Sequence, residues 1–121
     1  MIDDVIELLE NSSEGSRELD AKVAIASGNV PEDTNFWRNP FFAGRYSDGN
    51  SYIKEVPKFT TSLDATRKLS DWVWLVASDI AADGLGYVKL GNPLTSTEVS
   101  GIHSKLEIAA CIAALKSLKE G

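Results

Sequence analysis

The chain holds one histidine, His103, and one cysteine, Cys111, the residue types that most readily supply a general base and a nucleophile. They are separated by a little over two turns of what reads as one helix, about 12 Å of rise, too far for the hydrogen bond a catalytic pair needs. The spacing therefore predicts a solvent-facing His103 near a helix start and a small buried thiol. A zinc site needs several His, Cys or carboxylate ligands together, and one His with one Cys does not supply them. Asp79 and Asp83 flank an expected hairpin turn and read as turn formers rather than cation ligands. Gly84-Leu85-Gly86 lacks both the Lys-Ser/Thr of a phosphate loop and the third glycine of a dinucleotide fingerprint. No catalytic, cofactor-binding or metal-binding set emerges, and the expectation is a protein that is not an enzyme.

Binding chemistry has more to stand on. Phe36, Trp37, Phe41, Phe42 and Tyr46 crowd an irregular stretch, with Arg38 and Arg45 among them. A solvated loop has little reason to carry five aromatic rings, each of which buries a large apolar area when packed. These seven residues are the candidate partner-binding set, suited to a side chain or a base. Trp72 and Trp74 form a second aromatic pair, which reads as sheet core.

Charge narrows the partners. Residues 1–20 hold Asp3, Asp4, Glu7, Glu10, Glu14, Glu18 and Asp20 against Arg17 alone, which accounts for the whole net charge of −6. The body of the chain is balanced, and no cluster of Lys and Arg tracks a phosphate backbone. Direct nucleic-acid binding is disfavoured. No apolar run reaches the length of a membrane span, the opening residues lack the pattern of a signal peptide, and the lone cysteine cannot form an internal disulfide. A cytoplasmic location is expected.

The elements that would position these residues follow from periodicity. Ile2, Val5, Ile6 and Leu9 form one stripe of a short acidic helix, which is too short to stand alone and must dock on something. Docking on a second copy through those four residues, giving a homo-oligomer, is slightly preferred to docking in cis. Ser16 caps a helix over residues 17–27, closed by Gly28. Tyr52–Val56 can be a short strand ended by Pro57. Thr61 or Ser62 caps about two turns of helix bearing Leu63, Thr66 and Leu69. Residues 72–80 and 85–90 read as an antiparallel hairpin. Strict alternation puts Trp72, Trp74, Val76 and Ile80 on one face, with Val73, Leu75 and Ala77 on the other. Both faces are apolar, so both are expected to be covered. Residues 94–101 read as a Thr/Ser/Gly-rich loop. A last helix runs from about Ser104 to Lys119, so apolar that it should be buried nearly all round.

Three stretches also occur together in a known family: Ser16-Arg17-Glu18-Leu19-Asp20-Ala21-Lys22-Val23-Ala24, then Val56-Pro57-Lys58-Phe59-Thr60-Thr61-Ser62-Leu63-Asp64-Ala65, then Ala109-Ala110-Cys111-Ile112-Ala113-Ala114-Leu115-Lys116. With the Trp-bearing hairpin between the second and third, the chain resembles the phage ABA-sandwich domain over residues 16–119. The resemblance implies an α-β-α layering and a setting in tailed phages or prophages, hence in an infected or lysogenic bacterial host. It brings no catalytic residues. The combined expectation is an α+β fold, an α-β-α sandwich with a short, mainly antiparallel sheet between helical layers. The acidic helix would occupy residues 1–12 and the sandwich domain 13–121. The expected function is that of a non-enzymatic phage accessory protein that binds a host or phage protein. The alternative is an inhibitor of a host defence system, acting by protein binding or by sequestering a nucleotide.

Overall fold

The computed structural model describes residues 2–28, 45–47, 53–80 and 85–120. In chain order the elements are α1 (Ile2–Asn11), α2 (Arg17–Ala26), β1 (Arg45–Ser47), β2 (Ile53–Glu55), α3 (Leu63–Thr66), β3 (Val73–Ile80), β4 (Leu85–Gly91), β5 (Glu98–His103) and α4 (Leu106–Glu120). The fold is α+β. β1 and β2 form a two-stranded antiparallel pair, and β3-β4-β5 form a three-stranded antiparallel sheet in that order.

Helix α4 is the centre of the structure. Its residues from Ile108 through Leu115 are all buried, as expected of a helix with almost no polar face. One side lies across β4 and β5, while α1 and α3 pack on it from elsewhere, with α2 in lighter contact. α1 presents Val5, Ile6 and Leu9 to this core, with Ile2 partly buried at its edge. Lys119 Nζ donates to Asp3 Oδ1 at 2.7 Å, joining the first turn of α1 to the last turn of α4. The helix thus docks in cis. The expected oligomer through Ile2, Val5, Ile6 and Leu9 is overturned, because their apolar surface is already spent inside one chain.

Local signals explain the helix ends. The Ser16 hydroxyl accepts from Leu19 N–H at 3.1 Å, the bond an N-cap makes to satisfy an orphan donor. Gly28 follows α2 with φ +82, a left-handed closing position that favours glycine. Ser62 caps α3 in the same manner as Ser16. That helix is a single turn, shorter than expected, with Leu69 brought into the core by further turns after it.

The hairpin of β3 and β4 forms as the sequence predicts, but its faces differ from strict alternation. The register steps from Trp74↔Leu90 to Val76↔Lys89, leaving Leu75 as the extra residue of a β-bulge. Trp72 and Trp74 lie on the α4 side, partly buried against the core. Val76 is carried to the opposite face, where Val73 and Leu75 already stand. Among the described residues the sheet is therefore covered on one side only: Val73, Leu75, Val76 and Ile102 are all exposed. Helical cover on the second face, expected from the two apolar sides of 72–80, is not found among the described residues. Residues 98–101, expected as the end of the 94–101 loop, belong instead to the third strand, Glu98–His103, paired with β4 from Gly86↔His103 to Gly91↔Glu98.

Candidate functional site

Two groups of residues could carry a function: a set of buried polar side chains, and the open face of the sheet. The buried set joins the three sequence stretches quoted above. Asp20 is fully buried. Its Oδ1 accepts from the Thr60 N–H at 2.8 Å and from the Thr60 hydroxyl at 2.5 Å, while its Oδ2 receives Arg17 Nη1 at 2.7 Å. Arg17 also donates through Nη2 to the Val56 carbonyl at 2.6 Å, and Thr60 Oγ1 accepts from Ser16 N–H at 3.0 Å. Cys111 Sγ donates to the Phe59 carbonyl at 3.0 Å. The start of α2 is thereby fastened to the segment before α3, and that segment to α4. A buried carboxylate demands partners of this kind.

Burial pushes the Cys111 thiol well above its ordinary range, and the nearby charges of Asp20 and Glu107 push it further in the same direction. A thiol held protonated is a poor nucleophile. Cys111 should therefore resist alkylation by iodoacetamide in the native protein and react once the chain is unfolded. Rapid labelling of the folded protein, followed by mass spectrometry, would contradict this.

His103 is buried, not solvent-facing as expected. Its Nδ1 accepts from the Lys105 N–H at 2.9 Å, so the ring proton sits on Nε2 and is donated to the Ser12 carbonyl at 2.6 Å. Both ring nitrogens are committed to backbone groups. The histidine ties the α1–α2 loop to the junction of β5 and α4. The physical reason is non-local: a carbonyl from the far end of the sequence offers an acceptor that spacing along α4 cannot reveal.

Of the candidate partner-binding set, Phe36, Trp37, Arg38, Phe41 and Phe42 lie outside the described residues. Arg45 and Tyr46 are placed only as positions of β1, opposite Glu55 and Lys54. The Asp79 and Asp83 side chains and Gly84 also lie outside them. Leu85 and Gly86 are residues of β4, in a strand rather than a phosphate-cradling turn. Among the described residues no three His, Cys, Asp or Glu side chains gather as metal ligands do. No helix there is long and apolar enough to cross a membrane.

The open sheet face is the site that the sequence reading missed. Alternation along β4 sends Val88 and Leu90 inward and Leu85, Tyr87 and Lys89 outward. Cross-strand pairing then sets Val76 beside Lys89, and Tyr87 beside Ile102. Ile102 is 53% exposed, Val73 49% and Leu75 48%. Leu75 lies over Gly91, its Cδ1 where a Cβ on that glycine would come within 2.8 Å. At this end Val73, Leu75, Gly91, Pro93 and Glu98 line a shallow hollow of about 320 Å³. β3 is also the outer strand of the sheet on this side. Arg67 stacks over the inward-facing Trp74 at 4.7 Å from the ring centroid, closing the inner side of the same strand. The only sequence signal for the open face was the apolar character of both sides of 72–80.

Comparison with protein-family models, with curated proteins and with solved structures finds no match to this chain.

Proposed function

We propose that this protein is a non-enzymatic accessory protein of a phage or prophage that works by binding another protein. The observation that supports this reading best is the exposed apolar face of β3-β4-β5, on which no described residue of the chain packs as cover. Contiguous exposed apolar residues on a sheet face cost free energy in water unless a partner covers them. Here a β-bulge at Leu75 adds to that face instead of hiding it. The potentially reactive groups point the same way, since His103, Cys111 and Asp20 are each consumed by internal bonds. The phage setting rests on the three sequence stretches, which the Asp20, Thr60 and Cys111 bonds link together in space.

A photo-reactive amino acid at Val76 tests the reading in the bacterium that carries the gene. The expected result is one dominant cross-linked adduct, absent when the same group replaces exposed Glu18 on α2, and lost when Ile102→Asp is added. Equal adducts from both positions, or none from Val76, would remove the sheet face as the binding surface.

A further inference from the structure

The hollow at one end of the open face has a matching projection beside it. Leu94, in the turn between β4 and β5, is 92% exposed, far more than any other described large apolar residue. It is held there firmly. Asn92 Oδ1 accepts from the Leu94 N–H at 2.8 Å. Asn92 and Ser96 bond across the turn at 3.0 Å, and Asn92 and Thr97 at 2.8 Å. A leucine projected by a bonded turn loses little freedom when it is covered, so its burial yields more net affinity than that of a floppy side chain. The hollow of about 320 Å³ lined by Val73, Leu75 and Gly91 is ample for one leucine side chain. Its floor is Leu75, which lies across Gly91 in the space that glycine's missing side chain leaves.

We infer that the occupant of this hollow is Leu94 of a second copy of the chain, in a two-fold dimer where each copy inserts its leucine into the other. This rests on the reading of the sheet face as a binding surface and names its partner at that end. A knob and a hole on one patch are self-complementary, which is what an isologous contact requires. Charge agrees. The net charge of −6 sits in residues 1–20, so most other approaches of two copies are repulsive. The patch instead carries one cation and one anion, Lys89 and Glu98, paired at 3.6 Å with both side chains partly exposed. About a two-fold axis, such a pair meets its own complement.

The test is the mass of the purified full chain by light scattering as its concentration rises through the micromolar range. The expected result is a rise from 13.1 kDa toward twice that value. Leu94→Asp and Val73→Lys should each weaken the dimer by about a hundredfold or more, because a two-fold contact loses its buried aliphatic group twice. Both should leave the melting temperature of the monomer unchanged, since both positions are exposed in one chain. A chain that stays monomeric throughout, or a dimer that Leu94→Asp leaves intact, overturns the inference. Because the pure chain is measured alone, a monomer here leaves the cross-linking result at Val76 to stand or fall by itself.

Discussion

Ile112→Asp is expected to leave no cooperative unfolding transition at all. Ile112 is 1% exposed in the middle of α4, and the residues on either side of it along the helix are also buried. A carboxylate there has no water to hydrate it and no basic partner nearby in the core cluster, whose members are all apolar. The cost of an unpaired buried charge, added to the lost aliphatic packing, is on the order of 4 kcal/mol or more. Domains of this size are stable by only about 5–15 kcal/mol. The effect should propagate, because α4 supports the sheet on one side and helices on others. Circular dichroism should show a flattened melt, and Ile112→Val, which removes one methylene, should cost only about 0.5–1.5 kcal/mol. If Ile112→Asp melts like the parent, α4 is not the core of the fold.

The same helix shows what a sequence discloses and what it does not. Its burial follows from composition, since a run from Ile108 to Leu115 without one charge has no face to offer water. α2 follows from Ser16 and Gly28, whose capping roles depend only on neighbours within a few residues. The β3–β4 hairpin follows from the density of aromatic and β-branched residues. The failures are of another kind. The stripe on α1 declares that something must cover it, but periodicity is silent on whether the cover belongs to the same molecule. Here it is α4, at the opposite end of the chain. His103 has its Nε2 partner 91 residues away, in Ser12, and Asp20 has its partner Thr60 40 residues away. The bulge at Leu75 inverts the faces of everything beyond it, and nothing in Trp74-Leu75-Val76 marks which residue is extra. That single slip is why the open apolar face, the candidate binding site, was not legible before the register was known.

Gly101 explains the last misreading and carries the second large prediction. Residues 94–101 are rich in Thr, Ser and Gly and look like loop, yet from Glu98 onward they form β5, with Gly101 facing α4. A Cβ built on Gly101 would lie 2.1 Å from the carbonyl oxygen of Ala109 and 2.9 Å from the backbone nitrogen of Ala113. Those are backbone atoms, so no rotamer change relieves the contact; the helix and the strand must part. The glycine that makes the segment look like loop is the one that lets the helix settle on the strand. Ala109 and Ala113, with their small side chains, complete the fit from the helix side. Gly101→Ala should therefore cost about 3 kcal/mol, at the upper end of overpacking effects, lowering the melting temperature by roughly 12 °C. Gly101→Val should prevent folding at room temperature. Gly28→Ala is the useful comparison. Its φ of +82 is strained for alanine, but a Cβ there meets nothing within 4 Å, so the cost should be only about 1 kcal/mol. Thermal melts of the three variants should rank Gly101→Val below Gly101→Ala, and both below Gly28→Ala. Equal, small losses at positions 28 and 101 would mean that α4 does not rest on β5 at backbone distance. In that case His103, Gly86 and the whole inner face of the sheet would need another cover.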